Sequence, residues 1–304
     1  MTEPGAAPAA ELPLTPLHMV LIFGVMLLWG INFAVAKIGL AQLPPMLFMA
    51  TRFALVALLL LPFAKRPEGQ WGAIFAIAIT LGLLHFSFMF HGLKTVDAGT
   101  ASIAIQLQVP FASLLAAIFF KDKLGWRRAL GMLIAFIGVA LIAGEPRLQG
   151  QYLALASIVT ASFIWSIANV QIKLLRPIDG LSLNAWVAAF ATPMLIVASL
   201  ATEDGQWQAL QQADFWAYFA IVYQAVVVVV IGYGYWYWLM RRYQINQVMP
   251  ATLLVPPFGV LAGVILLGES LTVTLVAGGL MTVVGVAIII IRRPKTTAPE
   301  AERL

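Results

Sequence analysis

Ile245 to Leu271, INQVMPATLLVPPFGVLAGVILLGESL, decides the fold because the chain contains it twice. Moved back by 147 positions it falls on Ala98 to Leu124, AGTASIAIQLQVPFASLLAAIFFKDKL, with Pro257 over Pro110 and Glu269 over Asp122. The same offset sets Gly278 on Gly131 and Gly285 on Gly138. Further upstream the offset is 136, where Ile164-Trp165-Ser166-Ile167 falls on Leu28-Trp29-Gly30-Ile31 and Lys173 on Lys37. The chain is therefore a duplicated five-segment unit. The change of offset leaves about eleven extra residues in the second copy, and the polar run Glu203 to Asp214 holds them.

Composition places this unit in a bilayer. Of the residues 62% are hydrophobic and 10% charged, with a mean hydropathy of +0.93, whereas soluble domains carry roughly 25% charge. Cysteine is absent, which excludes disulfides and thiolate metal sites, and only three histidines remain. No metal or cofactor is expected. The net charge of +5 does not point to nucleic acid, because the basic residues lie in short loops between apolar segments.

With about 20 residues to a span, ten spans are predicted: 18–39, 45–64, 70–93, 98–120, 126–143, 151–173, 181–202, 214–240, 245–267 and 272–291. Residues 1–16 read as a disordered tail without the features of a secretory signal, and 293–304 as a polar cytoplasmic tail. The repeats are expected at 17–144 and 151–292. If the N-terminus is cytoplasmic, fourteen Lys and Arg fall inside, including Lys65, Arg66, Lys121, Arg176, Arg241 and Arg242. Three, Lys37, Lys94 and Arg147, fall outside. The positive-inside rule thus puts both termini in the cytoplasm.

An odd number of spans per copy inserts the second copy upside down. The expected fold is an all-α integral membrane protein whose two inverted five-helix repeats enclose a central cavity. This architecture suits a carrier working by alternating access, with its site near the midplane.

The ten spans, the Trp-Gly/Ser pairs near the start of each half and the A-x-L-L-x-P-P-x-x-x-L-x-x-x-x-L-L-G-E-x-L run of Ala251 to Leu271 resemble the EamA branch of the drug/metabolite transporter superfamily. The first copy departs from that pattern, with Phe119-Phe120-Lys121-Asp122 in place of the usual Leu-Gly-Glu. The resemblance implies a small-metabolite exporter of the bacterial inner membrane, with spans 1, 3, 4, 6, 8 and 9 around the cavity. In layout the chain is similar to YddG-type exporters of aromatic amino acids and methionine. A neutral aromatic cavity also suits purines, flavins and hydrophobic drugs.

The residues themselves nominate a binding site. In span 4, Ser102 and Gln106 recur at helical spacing on one polar face, which must meet the cavity or another helix, since lipid cannot satisfy it. Span 3 offers His85, Phe86 and Met89; at the equivalent depth span 8 offers Tyr233, Trp236 and Tyr237, aromatic faces with polar handles. Trp29 with Asn32 in span 1, and Trp165 with Asn169 in span 6, pair a ring with an amide that could clamp a zwitterion. Core packing is the rival reading for both tryptophans, and an interfacial belt accounts for Trp238 and Tyr243.

Every carboxylate lies in a loop, a tail or at a span end, so no Asp/Glu proton relay is available. Uniport is expected ahead of coupling through His85. Arg52, about seven residues into span 2, reads as a snorkelling or carbonyl-paired cation, leaving the pocket without fixed charge. Asp122 and Glu269 read as caps for the last helix of their own halves. No nucleotide-binding or hydrolase motif is present, which argues against an enzyme. The expected partners are a small-molecule substrate and the lipid bilayer, with no nucleic acid; oligomeric state is left open, a monomer sufficing.

Overall fold

The computed structural model describes residues 14–122, 124–243 and 245–291, without the side chains of 245 and 246. Most of both expected tails lies outside these residues. Within them the first helix already starts at Pro16, its amino end capped by the Thr15 hydroxyl accepting from the His18 amide at 3.3 Å.

Among the described residues the chain is all helix, with ten helices long and apolar enough to cross a membrane. Spans 1 to 5 are Pro16–Leu40, Pro45–Phe63, Trp71–Thr95, Ala98–Phe119 and Trp126–Ala143. Spans 6 to 10 are Tyr152–Lys173, Gly180–Thr202, Phe215–Arg242, Met249–Leu267 and Val273–Ile290. The polar insert of the second copy folds into a short helix, Gln206–Gln212.

The local breaks in these helices are duplicated too. Span 3 is a π-helix over Ala78–His85, and span 8 over Tyr223–Tyr233, which covers the positions 147 residues later. Spans 4 and 9 each tighten to 3-10 geometry, at Ile105–Leu107 and Met249–Leu254, just ahead of Pro110 and of Pro256-Pro257. A proline inside a helix removes one amide donor and crowds the carbonyl four residues back. The carbonyls so deprived are those of Gln106, Thr252 and Leu253; in the same region the Pro256 carbonyl accepts from the Ser102 hydroxyl at 3.4 Å.

Spans 5 and 10 cross where the repeats meet, and their glycines reveal the symmetry. A Cβ on Gly131 would lie 2.7 Å from the Gly285 carbonyl oxygen, and one on Gly278 would lie 2.5 Å from that of Gly138. Gly131 corresponds to Gly278 and Gly138 to Gly285, so each contact is the image of the other. That reciprocity is what a two-fold axis requires. Because span 5 begins on the face where span 10 ends, the axis lies in the membrane plane. Lipid gives no hydrophobic drive to pair helices, so such close contact between small residues is how they associate.

Neither Asp122 nor Glu269 caps the helix that the sequence suggests. Glu269 does not cap span 10, whose first turn is capped by Thr272. It reaches across the molecule to the start of span 4, accepting from the amides of Ala98 at 2.6 Å and Gly99 at 3.0 Å. Glu203 treats span 2 similarly, accepting from Met46 at 2.8 Å and Leu47 at 3.1 Å. Span 5 has no side-chain cap, and Asp122 is exposed. A free helix start attracts any carboxylate that can reach it, and tertiary packing decides which one does.

The departure Phe119-Phe120-Lys121-Asp122 conserves backbone shape. Lys121 adopts φ +55°, the left-handed conformation that its counterpart Gly268 takes at φ +68°. That conformation costs a side-chain-bearing residue about 1–2 kcal/mol, partly offset in a comparison with glycine by the latter's greater freedom when unfolded. Lys121→Gly is therefore expected to stabilise the protein by roughly 0.5–1 kcal/mol, read as a higher thermal midpoint in detergent.

Candidate functional site

A central cavity of about 970 Å³ opens on the face that carries Lys65, Arg66, Arg176 and Arg241. This is the upper end of the size range for small-molecule sites. Spans 2, 3, 6, 7 and 8 supply its wall within the bundle: Arg52, Phe53 and Val56; Leu81 and Phe86; Trp165 and Asn169; Leu183, Asn184 and Val187; and Val229, Tyr233, Trp236 and Tyr237. The expected lining by spans 1, 4 and 9 is corrected. These three pack against one another and close the opposite end.

Glycine makes that closure possible. A Cβ on Gly30 would lie 2.3 Å from the Phe258 Cβ, and one on Gly259 would lie 2.4 Å from the Ser102 Cβ. Nearer the surface a Cβ on Gly263 would overlap the Glu269 carboxylate that brackets Ala98 and Gly99. Lys37 donates to the Val96 carbonyl and lies 3.9 Å from Glu269. Arg147 pairs with Asp97 at 2.9 Å and Glu145 at 2.6 Å and donates to the Ser270 carbonyl at 3.0 Å.

Six of the twelve nominated residues, Phe86, Trp165, Asn169, Tyr233, Trp236 and Tyr237, meet on the cavity wall. The other six stand behind it. Trp29 packs on Tyr233 and Trp236, with ring centres 5.0 and 5.4 Å away, and its indole N–H has no hydrogen-bond partner among the described residues. Asn32 is likewise off the wall, with an unpartnered amide oxygen. His85 donates from Nδ1 to the Ala161 carbonyl at 2.9 Å and sits 5.0 Å from the Trp165 ring, holding that indole in place. Met89 and Gln106 are buried. Ser102 donates to the carbonyls of Gly99 at 2.8 Å and Pro256, so its hydroxyl joins span 4 to span 9.

Two polar residues of the wall within the bundle went unnominated. Asn184 donates to the Tyr237 hydroxyl at 3.1 Å and fixes that ring; nothing in span 7 sets this amide apart before the fold brings Tyr237 to it. Arg52 corrects the expectation of a snorkelling cation and of an uncharged pocket. It is 4% exposed, its guanidinium carbon lies 4.7 Å from the Phe86 ring centre and 5.4 Å from that of Phe53, and it lines the cavity. The signal was present in the sequence, since an isolated cation inside a span is a functional candidate by default.

The profile of the EamA-like transporter family matches residues 17–144 and again residues 152–291. The chain belongs to that family. Among its relatives, a Salmonella typhimurium protein named as a probable amino-acid metabolite efflux pump is 34% identical over 87% of this chain and 91% of its own length. An Escherichia coli protein of the same description is 31% identical over 88% and 93%. A Bacillus subtilis protein named as an uncharacterized transporter is 25% identical over 87% and 94%. One solved crystal structure superposes with a TM-score of 0.62 at 18% identity, covering 88% of this chain and 94% of that one, and shares the fold. The protein is thus a membrane transporter; its relatives are named as transporters rather than enzymes. Among the described residues no group of three or more His, Asp or Glu is arranged to hold a metal ion.

Proposed function

We propose that this EamA-family protein is an alternating-access carrier exporting small neutral or zwitterionic metabolites, foremost aromatic or hydrophobic amino acids and methionine, across a bacterial inner membrane. The observation that carries this reading is a cavity roomy enough to admit an amino acid, walled by Trp165, Tyr233, Trp236 and Tyr237, that is open at one face and bracketed shut at the other. The names of the Salmonella and Escherichia coli relatives support the amino-acid class. The basic rim at the open mouth favours a cytoplasm-facing state, with both termini inside.

Alternation follows from exchanging the conformations of the halves. The repeat alignment carries Glu269 to Asp122, Lys37 to Lys173, and Ala98 and Gly99 to Ile245 and Asn246. In the opposite-facing state Asp122 accepts from the amides of Ile245 and Asn246, with Lys173 beside it. In the present state that latch is undone: Asp122 is exposed and the Lys173 ammonium lies 3.8 Å from the Phe120 ring centre.

Transport is uniport in this reading, because His85 is committed to Ala161 and Trp165 rather than turned to the cavity. The test is counterflow in proteoliposomes with radiolabelled phenylalanine, methionine and leucine, alongside a purine and a flavin. Saturable exchange of the amino acids is expected, with no acceleration by an imposed pH gradient. Exchange of none of them, or flux that rises with the gradient and loses that response in His85→Gln, refutes the corresponding part.

A further inference from the structure

Among the described residues no carboxylate pairs with Arg52, and its hydrogen bonding is reduced to one long contact, Nη1 to the Met49 sulfur at 3.8 Å, while Nε has no partner. Span 2 rises about 1.5 Å per residue, which sets Arg52 about 10 Å past Pro45, on the closed side of the cavity. The two acidic residues on the cavity wall, Glu68 and Asp179, belong to the loops at the mouth. Asp179 is already committed, accepting from the Ser182 amide at 3.0 Å and hydroxyl at 3.1 Å.

An unpaired cation at this depth is costly, and a snorkelling side chain would have relieved that cost. The rings of Phe53 and Phe86 return part of it by cation–π attraction. They leave unserved the donors on the guanidinium edge, whose planar fork matches the two oxygens of a carboxylate. A structural arginine would have spent those donors on backbone carbonyls. This one keeps them beside an open cavity.

We infer that Arg52 anchors the carboxylate of the transported molecule, so that the substrates are carboxylates carrying an apolar or aromatic group that lies toward Trp165 and Tyr233. The assignment rests on the carrier reading and narrows it: neutral purines and uncharged drugs offer the fork no anionic partner. Asn169 and the ring faces are left for an ammonium group, so the anchor discriminates by the carboxylate rather than by the amine.

The test titrates purified protein in lipid nanodiscs, following tryptophan fluorescence and heat. Phenylalanine, methionine and leucine are each compared with the amine that lacks the carboxylate, and phenylalanine also with 3-phenylpropionate, which lacks the amine. Amino acids are expected to bind at least about thirtyfold tighter than their amines, since losing one partner of a buried charge pair has effects of that order or more, while 3-phenylpropionate keeps most of the affinity. Arg52→Met is expected to erase the difference by weakening amino-acid binding without weakening that of the cationic amines, which lose a repelling neighbour, and Arg52→Lys to restore it partly. Wild-type protein that binds amines as tightly as amino acids overturns the inference without help from any variant. So does an Arg52→Met protein that weakens both classes equally. Absence of binding by every compound overturns it together with the amino-acid reading, whereas counterflow of a purine with indifferent Arg52 variants sinks the anchor and spares the carrier.

Discussion

Glu269→Gln and Asp122→Asn are expected to shift the access equilibrium in opposite directions. Glu269 holds two span-4 amides and faces Lys37 from a nearly buried position. Its amide variant keeps a single acceptor oxygen and loses the charge. Charge-assisted bonds contribute about 1.5–3 kcal/mol, so the closed end should open about tenfold to a hundredfold more often. Asp122→Asn leaves the present state untouched, because Asp122 is exposed in it, and weakens the state facing the other way. The absence of native cysteine makes this measurable with one reporter. Ala34 is fully buried with Ala98 and Ala262 beneath the Glu269 bracket. An Ala34→Cys reporter should react faster with an impermeant maleimide in the Glu269→Gln background and more slowly in the Asp122→Asn background. Rates that move in the same direction, or stay fixed, would dispose of the paired latch.

The second large effect belongs to stability. Gly278→Val is expected to destabilise the protein by about 2–3 kcal/mol or to prevent folding, because its side chain must displace the Gly138 backbone and the Ile142 side chain at a crossing with no slack. Gly138→Val should behave similarly, since the Thr282 hydroxyl and the Gly278 carbonyl fill the equivalent space. Gly24→Ala supplies the contrast. It lies in helix with nothing within 4 Å of its added methyl, so it should be neutral or stabilise by up to about 1 kcal/mol. Thermal midpoints from fluorescence-detected gel filtration would compare the three, and a Gly278→Val midpoint near that of Gly24→Ala would refute the crossing as described.

Much of this architecture was readable in the sequence because the bilayer constrains it so strongly. Every backbone group must be satisfied within its own helix, so the apolar segments are helices and their lengths follow from membrane thickness. The ten predicted spans match the structure to within a few residues at nearly every end; span 9 is preceded by a short separate turn, Ile245–Val248. The wall was half legible. Phe86, Trp165, Asn169, Tyr233, Trp236 and Tyr237 were found because aromatic and amide side chains at midspan depth have few other uses. His85 and Met89 carried an equal signal yet stand off the wall, since the type and depth of a residue do not give its azimuth around the helix; Trp29, Asn32, Ser102 and Gln106 lie on spans 1 and 4, which supply no part of the wall.

The amino-acid sequence by itself determined the number of spans, the duplication and hence the inversion, because each depends on periodic chemistry along one chain. Tertiary structure alone decided which end is shut, which helices Glu203 and Glu269 cap and that Arg52 faces a cavity instead of the surface. Those outcomes depend on which helices approach closely enough to exclude water, and that is set by pairs of residues far apart in the chain: Gly30 with Phe258, Gly259 with Ser102, Gly138 with Gly278.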